Sequence, residues 1–323
     1  MKNIDYKSGN KKTQANMKTV KSIVALLLVL IGFGAQAQQD PLFSQYTFNK
    51  LLVNPGYAGS RDGLNITVVN RAQWTGIEGA PKTLTVSAHT AGKNNRVGLG
   101  FYVNRDVLGP TANNSFMGTY SYKIIMENSF FAFGLQGGLN YFDYDYSQMN
   151  LRDEDYLFDP ENIRKITPDV NFGLYYQTPT FFAGLSSKHL LENDYGIIMD
   201  NEKTSFNRLS RHFYLMSGMV WKLAENIRFR PSTLVKFVSG SPLQIDINGS
   251  FLFKNSFLIG ASFRTEKALS VQTELALMEG IRMGYSYDVY FNKLQLYNYG
   301  SHEIRLAFDI NIFEPRMVTP RYF

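Results

Sequence analysis

Near the end of the chain Ile304, Leu306, Phe308, Ile310 and Ile312 alternate without a break with Glu303, Arg305, Ala307, Asp309 and Asn311. A period of two held over ten residues gives a strand one wholly apolar face and one mostly polar face. The same alternation sets Leu243, Ile245, Ile247, Phe251 and Phe253 against Gln244, Asp246, Asn248 and Ser250, and Val97, Leu99, Phe101 and Val103 against Arg96, Gly98, Gly100 and Asn104. Strands of soluble sandwiches typically run about five or six residues, whereas a strand crossing a bilayer at a tilt needs about nine to eleven. Charges in the middle of such a strand face water in a sandwich and the lumen in a transmembrane barrel. The length of the runs selects the barrel, and 25 Phe and 20 Tyr suit a lipid-facing surface.

Segments of this kind lie near 64–74, 82–90, 96–105, 115–125, 130–141, 169–177, 180–189, 212–223, 227–238, 243–254, 256–264, 269–278, 281–291 and 302–312. The expected fold is all-β: an outer-membrane β-barrel of about 14 antiparallel strands, closed because lipid tolerates no unpaired strand edge. Outer-membrane barrels join their strands by short periplasmic turns and longer outer loops. With both termini in the periplasm, the even-numbered connections are short, among them Thr178-Pro179, Asn255 and Glu279-Gly280. The longest odd-numbered connections span 142–168 and 190–211, while 239–242 and 265–268 are short, so the alternation is clear in the first half and weaker in the second.

The pI near 9.2 comes from the leader. Residues 1–37 carry six lysines against Asp5 alone, and the remainder of the +6 net charge is only +1, which leaves no basic surface for a nucleic-acid partner. Ile23 to Phe33 is an apolar run too short to span a bilayer as a helix, and Ala35-Gln36-Ala37 has the form of a signal peptidase site. The expected organisation is a signal peptide over 1–37, with Met17 an alternative start, a periplasmic or plug segment over 38–62, the barrel over 63–313 and a periplasmic tail over 314–323. The absence of cysteine removes disulfides, thiol nucleophiles, zinc thiolates and lipoprotein anchoring.

Three stretches carry a further signal: DPLFSQYTFNKLLVNPGYAGSRDG over 40–63, NRAQWTGIEGAPKT over 70–83 and FAGLSSKHLL over 182–191. Together they resemble the PorP/SprF family of type IX secretion membrane proteins of the Bacteroidetes. Asp40, Pro41, Phe43, Asn54, Pro55, Tyr57, Gly59, Gln73 and Trp74 match the family pattern, and Gly56 replaces its usual alanine. The resemblance implies an outer-membrane barrel accessory to type IX secretion, in some members tied to export or surface attachment of gliding adhesins. Read from the residues alone, Asp40-Pro41 starts and Asn54-Pro55-Gly56 stops a short helix over 41–52. Such a helix would cork the lumen, seal its floor or dock in a partner's groove. Trp74 is expected at the outer rim as a headgroup anchor, with Gly76, Gly79 and Pro81 turning the chain back.

No motif for catalysis, cofactor or metal emerges. There is no Walker loop, GxSxG or HExxH, and His89, His189, His212 and His302 are assigned to separate strand ends or faces. Asp143, Asp145, Ser147 and Glu154 have the spacing of a calcium loop, but Gln148 stands where the turn needs glycine. The acidic, tyrosine-rich stretch with Tyr144, Asp145, Tyr146, Asp153, Asp155, Tyr156 and Phe158 is either a lid or an outer binding loop for a secreted cargo or its C-terminal signal domain. On the inner side, Arg321, Tyr322 and Phe323 end a tail that is either frayed or docked on periplasmic secretion machinery. The lumen face should carry Arg71, Arg96, Arg228, Arg230, Lys236, Arg264, Arg282 and Arg305 opposite Asp246, Glu274, Asp288, Glu303 and Asp309, as a salt-bridge lattice. The rival reading is an outer-membrane channel for hydrophobic or small solutes.

Overall fold

The computed structural model describes residues 40–41, 43–145, 163–193, 197–199, 202–204 and 209–311. Its strands are β1 (Leu64–Ala72), β2 (Lys82–Ala91), β3 (Val97–Leu108), β4 (Thr111–Ile125), β5 (Phe130–Tyr144), β6 (Ile163–Gln177), β7 (Phe181–Lys188), β8 (Ile197–Met199), β9 (Glu202–Thr204), β10 (His212–Met219), β11 (Trp221–Ala224), β12 (Ile227–Val238), β13 (Gln244–Phe253), β14 (Phe257–Arg264), β15 (Ala268–Met278), β16 (Ile281–Tyr290) and β17 (Ser301–Ile310). β8 and β9 pair only with each other. All other neighbours are antiparallel, β1 pairs with β17, and β10 and β11 both pair with β12. Taken as two parts of one stave interrupted at Val220, β10 and β11 complete a closed barrel of 14 strands, which is the fold the alternation calls for.

One end of the barrel carries the tight turns between β2 and β3, β4 and β5, β6 and β7, β11 and β12, β13 and β14, and β15 and β16. This turn end also holds Leu64 and Ile310; the opposite rim is the loop end. Two staves reach further toward the loop end than the apolar alternation does. β3 and β4 continue through Arg105↔Asn114 and Asp106↔Asn113 to a two-residue turn, and β5 and β6 continue to Tyr144↔Ile163, so the connection expected over 142–168 is shorter. Polar residues on both faces mark strand that has left the lipid, and there hydrophobic period carries no signal. Pro168 is accommodated inside β6 because β7 pairs only with Phe172–Gln177, leaving the missing N–H on an unpaired edge.

Burial alternates along the staves, as in β14, where Phe257, Ile259, Ala261 and Phe263 face outward and Leu258, Gly260, Ser262 and Arg264 face inward. The interior is polar and ionic. Arg71 reaches Asp288 at 2.6 Å and Glu303 at 3.1 Å, Arg264 reaches Asp246 at 3.0 Å, and Glu274 takes both Arg305 and Arg282. Asp309 joins Arg282 and Arg61. Two members of the expected lattice lie elsewhere: Arg96 is exposed beside a turn, and Arg228 bonds Asn255 at the turn end.

The interior also contains the chain's own N-terminal segment. It forms three short 3-10 turns, Tyr46–Phe48, Lys50–Leu52 and Pro55–Tyr57, in place of the expected helix. Its bonds run from Phe48 N to Gln45 O and from Val53 N to Lys50 O, while the amides of Ser44 and Gln45 leave the segment to bind Glu303 at 2.9 Å each. With donors spent on the wall, a continuous helical ladder is not available. Asn54 caps the last turn, its Oδ1 accepting from Gly56 N at 2.8 Å.

Candidate functional site

The segment runs the length of the lumen. Asp40 lies beside Lys188 and His189 at the loop end of β7, Asn54 bonds the carbonyls of Leu174 and Leu185 midway, and Gly63 turns into β1 beside Ile310. Its apolar side chains Tyr46, Leu51, Val53 and Tyr57 pack with Ala132, Tyr175, Phe182, Tyr214 and Met216 of the wall. Phe48 lies under two guanidiniums, Arg305 at 4.6 Å and Arg230 at 5.6 Å from its ring centre. Lys50 points its ammonium at the rings of Phe182 (4.5 Å) and Tyr57 (5.2 Å).

The wall is shaped to receive this segment. A Cβ on Gly98 would stand 2.1 Å from Ala58 O, on Gly134 2.2 Å from Gly56 N, and on Gly173 2.2 Å from Asn54 Oδ1. Hydroxyls and amines finish the seat: Ser186 Oγ donates to Val53 O at 2.7 Å, Ser121 Oγ to Ala58 O at 2.6 Å, and Lys123 Nζ to Gly59 O. Gly59 takes φ 68°, and a side chain there would meet Gly98 Cα at 2.6 Å, which accounts for this member of the motif. At Gly56 the usual alanine of the pattern would put its Cβ 3.0 Å from Tyr175 Cβ.

At the loop end Asp40 is the hub. Its Oδ2 accepts from Lys188 Nζ at 2.7 Å and Tyr214 OH at 3.2 Å, and its Oδ1 lies 2.8 Å from His189 Nε2. His189 Nδ1 is 2.6 Å from Asp169 Oδ2. Burial alone would raise the Asp40 pKa, but Lys188 and His189 outweigh it and hold the carboxyl well below the ordinary range. Burial pushes His189 down, and the carboxylates of Asp40 and Asp169 outweigh it to bring the imidazole up to about 9. His212 stands beside His189, ring centres 5.4 Å apart. The expectation that the histidines occupy separate places therefore needs correction for two of them: His189 and His212 meet Asp40 at one point. Residues this far apart in sequence converge only when the lumen segment threads the barrel, and no local spacing signals it. A cavity beside Asp40 is lined by Phe43, Tyr102, Tyr214, Lys188 and Lys236.

The other expected site residues divide. Tyr144 ends β5 and packs on Phe142 and Leu209, and Asp145 N donates to Pro110 O at 2.9 Å. Asp143 lies within β5, 3.5 Å from Arg164 across the register, so the first position of the calcium spacing is part of a strand ladder. Tyr146, Asp153, Asp155, Tyr156, Phe158, Arg321, Tyr322 and Phe323 lie outside the described residues. Gln73 donates its amide to Pro81 O at 2.9 Å across the expected turn. Trp74 is half-buried, its ring centre 6.2 Å from that of the buried Tyr290.

A family model described as type IX secretion system membrane protein PorP/SprF matches residues 35–308. No curated protein matches the chain. Among solved structures, the CymD monoaromatic hydrocarbon channel is similar at 10% identity and a TM-score of 0.53, over 87% of this chain and 98% of that one. The outer membrane protein Omp33 of Acinetobacter baumannii aligns at 7% identity and a TM-score of 0.47, over 77% of this chain and 98% of its own.

Proposed function

The chain belongs to the PorP/SprF family of type IX secretion system membrane proteins, and from that premise we propose that it holds or passes an exported surface protein, such as a gliding adhesin, by binding and not by catalysis. It is an outer-membrane barrel. Its tight turns face the periplasm under the usual rule for such barrels, and its long connections face outward. The observation that carries the reading is the occupied lumen: Leu51, Asn54, Tyr57 and Ala58 are 0–2% exposed inside the barrel. A stave ring corked by its own chain offers rims and loops for docking in place of an open path for solutes. Outer loops then meet the cargo or its signal domain, and the tail meets periplasmic machinery.

The rival solute channel draws on the cavity beside Asp40 with its lining of Phe43, Tyr102 and Tyr214. Comparing the surface proteome of a deletion strain with its parent separates the two. Loss of surface adhesins from the deletion strain is the expected result; an unchanged surface proteome together with solute uptake by the purified barrel in liposomes would overturn the secretion reading. Deleting residues 145–159 should release the cargo from pull-downs of solubilised membranes and leave periplasmic partners bound.

A further inference from the structure

We infer that Asp40, His189 and His212 form a binding site for a zinc-type divalent cation that fastens the N-terminal segment to the barrel wall. One candidate ligand atom from each residue belongs to a group whose members all lie within 4.8 Å of one another. Tetrahedral zinc with N and O ligands wants those atoms about 3.3 Å apart, so closure on a cation asks for side-chain shifts of about an ångström.

The outer contacts aim the ligands. His212 Nδ1 donates to Ser210 O at 2.8 Å, which turns its Nε2 away from that carbonyl as a free lone pair. His189 Nδ1 faces Asp169 Oδ2 at 2.6 Å and its Nε2 faces Asp40, so a cation bound between them takes the place of the Nε2 proton, which is released to solvent. A histidine ligand held through its second nitrogen by a carboxylate or a carbonyl is the usual arrangement around zinc, where it fixes the tautomer and the ring. Asp40 divides its oxygens: Oδ2 is engaged by Lys188 and Tyr214, and Oδ1 lies on the histidine side. The Lys188 ammonium at 2.7 Å opposes a second cation on Oδ2, which confines the metal to Oδ1. Two imidazoles and one carboxylate suit zinc, cobalt or nickel and leave a coordination position for water. Asp40 and His189 also line the cavity, from which a water can enter.

The placement gives such a cation a structural role. Lys188 and His212 are directly paired across β7 and β10, so both histidines sit at the loop end of adjacent staves, while Asp40 begins the lumen segment. A cation at this point cross-links three segments that the chain alone joins only through long connections.

The test uses the mature chain folded in detergent and purified without a histidine tag. After equilibration with zinc and dialysis into metal-free buffer, mass spectrometry of the elements should find about one zinc per chain, and cobalt should give the visible absorption of a low-coordinate nitrogen and oxygen site. His212→Gln should abolish both. Because His212 bonds Ser210 and not Asp40, this variant leaves the Asp40, Lys188 and His189 contacts in place, and heat-modifiable gel mobility confirms that it folds. Asp169→Asn should keep the site and weaken zinc binding by about 10–100-fold. Folded wild-type protein without zinc above background, or His212→Gln retaining as much as wild type, would reduce the cluster to an ion-pair anchor. Neither result bears on the secretion reading, which rests on the family and the corked lumen.

Discussion

The seat of the lumen segment can be tested at a single hydrogen atom. Replacing Gly134 by alanine puts a Cβ 2.2 Å from both Gly56 N and the carbonyl carbon of Pro55, where ordinary contact begins at 3.4 Å, so something must move by about 1.2 Å. The wall cannot supply the movement, because Gly134 is paired with Ser121 on one side and Gly173 on the other. The lumen segment must shift. Overpacking of this kind costs about 1–3 kcal/mol. The shift also disturbs two Asn54 bonds, to Gly56 N at 2.8 Å and Leu174 O at 2.9 Å, each contributing about 1 kcal/mol. The sum is about 3–5 kcal/mol. Against it stands the burial of Tyr46, Phe48, Leu51 and Tyr57, about 1.5–3 kcal/mol apiece. The variant should therefore fold with the segment inside and release it about two to four orders of magnitude more often. The chain has no cysteine and Leu51 is 0% exposed, so Leu51→Cys makes a reporter whose maleimide labelling tracks the open population. Gly137→Ala on the same strand is the control, since its Cβ would meet nothing nearer than Asp169 O at 4.0 Å. Equal labelling rates in the two backgrounds would refute the seating argument.

Three further outcomes follow from the interior and the outer face. Glu303→Gln removes a buried carboxylate that accepts from Ser44 N, Gln45 N and Arg71, and should lower stability by about 3–5 kcal/mol in denaturant titrations; a loss below about 1 kcal/mol would count against the lattice as an anchor. Ile304→Arg, outward-facing and near the middle of β17, should cost about 2–4 kcal/mol in lipid vesicles, while Phe308→Arg, two residues from the turn end of its strand, should cost clearly less. Deleting residues 40–60 should turn a barrel with negligible single-channel conductance into an ion-conducting one, and equal conductance before and after deletion would show that the segment does not block the path.

The barrel was legible because period two and strand length are local, and they survive any arrangement of the other side of the lumen. That is why the 14 staves and most of the inward charges, from Arg71 to Asp309, stand where alternation puts them. Parity states which face a residue occupies and is silent about what it meets there. Gly98, Gly134 and Gly173 read in sequence as interruptions of the polar face, yet each is a place where the wall yields to the backbone of the lumen segment. The same silence covers Asp40 and His189, 149 residues apart and in contact. Two of the stretches that carry the family resemblance, 40–63 and 182–191, are thus the two sides of one interaction: Asp40 meets Lys188 and His189, and Val53 O meets Ser186 Oγ. The second stretch keeps the strand period through β7, which accounts for the face each residue takes and not for which residue stands there. A barrel wall built only to exclude lipid needs alternation alone; departures from it, at glycines and at the Asp40 hub, are where the wall has been fitted to its own N-terminal segment.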